Sequence, residues 1–288
     1  MKWLVLVLTA ALFLPGAYAG ESTKQIIQNH LSEQRLDDAE DTVEDWVKNE
    51  PENAEAWHIR GIVMAQQAQD SFFSALSYAG KSVDSFEKAV ELEPGSLEYR
   101  TALLQFYMMA PSIAGGDDEK ALAQIQAMRE IDAVEGAFAK VKYLQHHEKE
   151  EQARTLVNEI LAEHPNNADV LVYLGFQKQR DGNYEEAFSF FEQAAKGESR
   201  KGEAPVMALY QFGKTSVLAE EHLDKGIVAL QQYLDTELPD SAPKAHWANF
   251  RLAQLLALKG NDKESQQLIA SLKKIDDKEL QKQLSSWN

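Results

Sequence analysis

Cysteine is absent from all 288 residues. That absence excludes disulfides, thiolate nucleophiles, thiolate-ligated zinc and a lipid-modified cysteine behind a leader. Positive charge is scarce as well: 29 Lys and Arg stand against 46 Asp and Glu, leaving a net charge of −17. A surface that negative repels phosphate backbones and anionic headgroups, so neither nucleic acid nor a membrane surface is an expected partner. Long apolar runs are missing except for twelve residues from Trp3 to Leu14. A run that short falls below the roughly 20 residues needed to cross a bilayer. The sequence also has no His-Glu-x-x-His, no Gly-x-Ser-x-Gly and no phosphate-cradling glycine loop, the arrangements that place metal ligands, an acyl nucleophile or backbone amides around a phosphate.

The N-terminal run reads as an export signal. Lys2 supplies the positive end, Pro15-Gly16 breaks the apolar stretch, and Ala17-Tyr18-Ala19 gives a small-x-small cleavage pattern before Gly20. Residues 1–19 are therefore expected to be removed, leaving a soluble exported protein, most simply in a bacterial periplasm, with no stable membrane insertion.

Residues 169–196 carry the clearest pattern. Leu171, Leu174 and Gly175 are followed by the turn Asp181-Gly182-Asn183, then by Tyr184, Ala187, Phe191 and Ala194. Glycine inside a helix is unfavourable by roughly 1 kcal/mol relative to alanine, so Gly175 implies a neighbour too close for a side chain. Phe191 is the expected neighbour. Ala187 and Ala194 flank it by four and three residues on one helical face, a small-large-small stripe that lets two helices interdigitate. These residues and their spacing resemble a tetratricopeptide repeat (TPR), a 34-residue helix-turn-helix unit that stacks on copies of itself.

The same stripe recurs along the chain. Ala39, Val43 and Trp46 lead to Pro51, Phe86 and Ala89 to Pro94, and Ala153, Val157 and Ile160 to Pro165. Proline just past an apolar run stops a second helix because its ring cannot continue the ladder. Trp57 with Gly61, Arg100 with Leu103 and Leu104, Leu209 with Phe212 and Gly213, and Leu252 with Ala253 and Leu256 open further repeats. Gly226, Leu230 and Tyr233 close one, and Ser265, Ile269 and Leu272 close another. The resemblance thus implies an all-α, right-handed superhelical solenoid of about seven hairpins over residues 20–288. Leu280, Leu284 and Trp287 are spaced for a final capping helix.

Two repeats carry extra residues between their helices, near 65–80 and 110–118. The expectation is one protrusion from adjacent inserts, with Phe72, Phe73, Tyr78 and Ile113 packing the loops on each other. Pro111, Gly115 and Gly116 mark the second insert as a loop, and Asp117, Asp118 and Glu119 as the opening of the next helix.

Catalytic candidates are thin. His146-His147-Glu148 is the only histidine cluster, and adjacent helical residues diverge by about 100°, so it reads as a solvated face. Ser271 and Lys274 match an acyl-transferase spacing without companion motifs, and the Gly115-Gly116 loop is followed by carboxylates that disfavour an anion. No catalytic residue, metal or cofactor is expected.

The TPR resemblance implies a concave groove lined by the fifth and ninth positions of each first helix. Here those positions hold Phe138 and Lys142, Val172 and Phe176, Tyr210 and Lys214, and Phe250 and Gln254, with Arg180 and Trp247 on the same side. The asparagine that chaperone adaptors of this family carry at the ninth position is missing from all four repeats. An aromatic furrow with a few cations suits an apolar peptide bearing an acidic group; the alternative is that the furrow is filled by the chain itself, including Trp287. The expected function is a non-enzymatic periplasmic adaptor or scaffold for another protein or peptide. The alternatives are an envelope assembly component contacting through the inserts and, less favoured, an envelope hydrolase.

Overall fold

The computed structural model describes residues 22–71 and 73–287, so the export-signal reading and Phe72 lie outside the described residues. The described residues form fifteen α-helices and no strand. They run α1 (Thr23–Ser32), α2 (Leu36–Asn49), α3 (Ala54–Asp70), α4 (Ala75–Leu92), α5 (Leu97–Met109), α6 (Asp118–Ile131), α7 (Ala133–His146) and α8 (Glu150–Glu163). They continue as α9 (Ala168–Arg180), α10 (Tyr184–Ala194), α11 (Glu203–Ala219), α12 (Leu223–Leu234), α13 (Ala245–Leu258), α14 (Asp262–Leu272) and α15 (Lys278–Ser286). In order they make seven helical pairs and a terminal helix. The chain divides into two compact units, one ending at Ala139 and the other beginning at Lys140, within α7.

One motif occurs in both units, a small residue on the first helix of a pair against a large one on the second. In the first unit a Cβ on Gly61 would lie 2.5 Å from Cδ1 of Phe86. In the second, a Cβ on Gly175 would lie 2.5 Å from Cε1 of Phe191, and one on Gly213 would lie 2.3 Å from Cγ of Leu230. The last pair uses alanine instead, and Ser265 Oγ donates to the Ala253 carbonyl at 2.8 Å. Ser82 makes the same bond to the Gly61 carbonyl, also at 2.8 Å, so a short polar side chain closes the interface without an unsatisfied hydroxyl. Around these contacts Ile27, Ala39, Val43, Ile59, Val63 and Met64 form one buried cluster. Ala187, Phe188, Phe191, Phe212 and Ala229 form another in the second unit, so within each unit these helices share an apolar face with the next pair.

The helix ends follow from local chemistry. Pro51, Pro94 and Pro165 each lie two residues beyond the end of a second helix. Asn53, Ser96 and Asn167 then cap α3, α5 and α9 by accepting from the first-turn amides. Within four pairs the turn is the same. Arg35, Lys149, Asn183 and Asn261 donate their N–H to the carbonyls of His30, Leu144, Lys178 and Leu256 at 2.8–2.9 Å. The residue before each donor is left-handed: Gln34 (φ 59°), Glu148 (φ 57°), Gly182 (φ 72°) and Gly260 (φ 78°). This is the glycine-favouring closure of a helix C-terminus, and two of the four positions do without glycine. Gln34→Gly and Glu148→Gly should each stabilise by about 0.5–1 kcal/mol, the left-handed strain relieved less the added chain entropy. A rise in the urea midpoint is the expected reading.

The inserts depart from expectation. The extra residues of the second pair lengthen its helices instead of forming a knob: α3 has 17 residues and ends at Asp70, and α4 has 18 and begins at Ala75. The stretch lacks proline, and alanine and glutamine sustain a helix, so insertion there extends the ladder. The second insert is a true loop. Ser112–Ala114 forms a 3₁₀ turn, and Gly115 (φ 100°) lies over Phe106 and Val83. Asp117 then caps α6 by accepting from Glu119 and Lys120. Phe73 and Ile113 are not buried by the loops, being 96% and 80% exposed. Tyr78 does pack inward, against the cluster around Val63, with its hydroxyl on Glu40.

Candidate binding groove

In the second unit the first helices α9, α11 and α13 are successive neighbours, and Gln179 Nε2 bonds Thr215 Oγ1 across α9 and α11 at 2.7 Å. The residues expected to line a groove therefore lie on adjoining helices, but they differ in what they offer. Val172 is buried beside Phe176, which stays half-buried and meets Phe191 edge to face at 5.9 Å. Tyr210 is buried against Tyr233, at 5.4 Å between ring centres, and Leu252. Lys214 is half-buried and Arg180 exposed, and neither makes an ion pair among the described residues. On α7, Lys142 is exposed in the second unit and Phe138 is half-buried in the first.

Phe250 and Trp247 are largely taken by the chain itself. Phe250 is 1% exposed. Leu272, Leu280 and Leu284 pack on it, Trp247 lies against it, and Trp287 stands perpendicular to its ring at 6.0 Å. Three polar contacts hold α15 in this place. His246 Nε2 pairs with Asp277 at 2.9 Å, Asp277 caps the helix through the Leu280 amide, and Gln281 Nε2 donates to the carbonyls of Leu272 and Ile275. The C-terminal ends of α11 and α13, with α14 and Trp287, bound a cleft of about 810 Å³ lined by Val217, Gln254, Leu258 and Ile269.

Arg251 is a neighbour of this stripe that the spacing argument missed, because it stands one residue past the fifth position. Its guanidinium lies 5.3 Å from the centre of the Phe250 ring, and Nη1 donates to Gln254 Oε1 at 2.8 Å. It is close enough to act on both residues of α11. Burial lowers the Lys214 pKa and Arg251 lowers it further. Burial raises the Tyr210 pKa, and Arg251 opposes that rise by its charge and a hydrogen bond. Buried in turn beside Tyr210, Tyr233 is pushed up to about 12. A signal for Arg251 was nonetheless present, since neither it nor Lys214 has an acid three or four residues away, in a chain rich in acids.

Other polar clusters look structural. The His147 ring lies 4.3 Å from that of Tyr143, tilted by 45°, and is not simply solvated, whereas His146 is exposed. Glu185, Glu221 and His222 bring exposed ligand-type atoms within 4.8 Å of one another, and His222 lies 3.4 Å from Glu185 and edge-on to Phe188. Among the described residues no helix is long and apolar enough to cross a membrane.

No protein-family model matches the sequence. No curated protein matches it either. Similar solved structures include YrrB, described as a TPR protein with an unusual peptide-binding site, at 18% identity and TM-score 0.44, over 70% of this chain and 98% of that one. A tetratricopeptide repeat protein from Parabacteroides merdae aligns at 11% identity and TM-score 0.43, over 91% and 95%. PilW, a type IV pilus biogenesis factor, aligns at 15% identity and TM-score 0.38, over 91% and 96%. The glycines of α3, α9 and α11 are each closed upon by a large residue of the following helix, the close contact of two paired helices that the resemblance implied.

Proposed function

We propose that the protein is a non-catalytic adaptor, exported to the periplasm by its N-terminal signal, that holds a peptide segment of another protein along α9, α11 and α13. The observation that carries this reading is the pairing of partly accessible aromatic surface with cations that have no ion-pair partner among the described residues. Phe176 remains partly exposed on α9 with Arg180, and Lys214 is half-buried on the neighbouring α11, next to α13 with the partly covered Trp247. In a protein of net charge −17, basic side chains left without acids are reserved for something outside it. Among the described residues no arrangement of nucleophile, base and oxyanion donors accompanies them.

A second reading draws on the first unit, where Phe73, Ile113 and Met109 (73% exposed) stand out into solvent. Exposed apolar side chains of that size mark contact surfaces, so the loops could dock an envelope assembly. A photoreactive residue placed at Arg180 in one variant and at Phe73 in another separates the two. The groove reading expects a discrete crosslinked partner from position 180, lost when Phe176 is replaced by alanine. A partner captured only from position 73 would transfer the function to the loops.

A further inference from the structure

Glu185, Glu221 and His222 reach one point of the second unit from two different elements. Glu185 lies in the first turn of α10, whereas Glu221 and His222 form the turn between α11 and α12. With Glu185 and His222 37 positions apart, no local motif announces them. The fold nonetheless brings their ligand atoms within 4.8 Å of one another. Phe188, one turn along α10 from Glu185, is buried against Phe212 and meets the imidazole edge to face at 4.6 Å. Braced in this way, the ring turns Nε2 toward Glu185 and makes no capping bond to α12. Charge and distance both leave the cluster incomplete. Acids close by in the chain are matched, Glu186 by Lys178 at 2.6 Å and Glu192 by Lys225 at 3.1 Å. Among the described residues neither Glu185 nor Glu221 pairs with a lysine or arginine. Two carboxylates this close repel each other unless a cation stands between them.

We infer that Glu185, Glu221 and His222 bind one divalent transition-metal ion, zinc fitting best, with water completing its coordination. The 3.4 Å between His222 Nε2 and Glu185 Oε2 is long for a charge-assisted hydrogen bond, which spans about 2.7–2.9 Å. It matches instead the edge of a tetrahedron around zinc, about 3.4 Å when the metal–ligand bonds are about 2.0–2.1 Å. Glu221 is exposed and closes the remaining distance by rotating its own side chain. An imidazole in the donor set favours zinc over magnesium and calcium, which take oxygen ligands. The ion's role is structural. It ties the start of α10 to the turn before α12, fastening two successive helical pairs to each other. None of the three residues lines the proposed groove, so the ion and the adaptor reading are tested independently.

Zinc titrated into the ¹⁵N-labelled full chain should shift the His222 imidazole resonances saturably at one equivalent, and magnesium in large excess should not reverse the shift. Calorimetry should find that binding weakened about tenfold or more in Glu185→Gln and in His222→Asn, with helicity unchanged. Asparagine is the replacement at position 222 because it tolerates the left-handed backbone there (φ 51°). Zinc should also raise the thermal unfolding midpoint of the unaltered protein and of neither variant. Diffuse binding to an acidic surface predicts otherwise: several histidines shift together, magnesium displaces the zinc, and Glu185→Gln binds as before. Any of those results, or no saturable shift of His222 at stoichiometric zinc, would overturn the site. Zinc bound with an unmoved unfolding midpoint would overturn its fastening role.

Discussion

Replacing Phe191 by alanine should lower the unfolding free energy by about 3–5 kcal/mol, the range for deleting a fully buried aromatic side chain. Phe191 is fully buried, and its ring occupies the space above Gly175. A companion substitution makes the expectation sharper. In the unaltered protein Gly175→Ala drives a methyl to within 2.5 Å of the ring, and the overpacking should destabilise by about 1–3 kcal/mol. In the Phe191→Ala background that ring is gone. The same change should then stabilise by up to about 1 kcal/mol, because alanine is the better helix former. Urea denaturation of the four proteins of the cycle measures the coupling. Additive effects would mean that Gly175 is there for some reason other than the ring.

Leu280→Ala should release α15 and destabilise its docking by about 2–5 kcal/mol. Leu280 is fully buried against Phe250 and Leu272, and a nine-residue helix has little stability of its own. The expected reading is a red shift and loss of structure in Trp287 emission, with the other helices retained by circular dichroism. Acid should achieve part of this by another route. The Asp277 carboxyl is held below its ordinary value of 3.8, first by the Leu280 amide and then by His246. A depressed acid stabilises the fold above the ordinary carboxylate range and loses that contribution as pH falls through its folded value. The Trp287 signal should therefore change at acid pH in the unaltered protein, and much less in Asp277→Asn, which keeps a capping oxygen but does not titrate. An unchanged Trp287 emission in Leu280→Ala would show that the C-terminal helix is not held by this contact.

The hairpins were legible because their determinants are local. A glycine and a large residue 16 positions apart, a turn of Asp-Gly-Asn and a proline past the second helix all act within one repeat, and the structure places Gly175 and Phe191 in contact as their spacing implied. The inserts were harder to read. Counting surplus residues between Gly61 and Phe86 located the insertion but not its form, since a helix can absorb residues by growing as readily as a loop can. The expected groove positions depended on a template that fixes direction from the axis and ignores what comes later in the chain. It put Phe250 on a binding surface, where Leu280 and Leu284 instead bury it. It also passed over Arg251, whose long side chain reaches back to α11 although its Cα lies off the stripe.

The shared turn of the α1–α2, α7–α8, α9–α10 and α13–α14 pairs has an architectural result. Four different residue sequences bring the chain back along the same path through the same backbone bond, so the join between two helices makes few demands on which helices they are. Recombination at such joins can duplicate, delete or exchange a pair and leave the connections on either side geometrically sound. A protein assembled this way can change its length faster than it changes its turns.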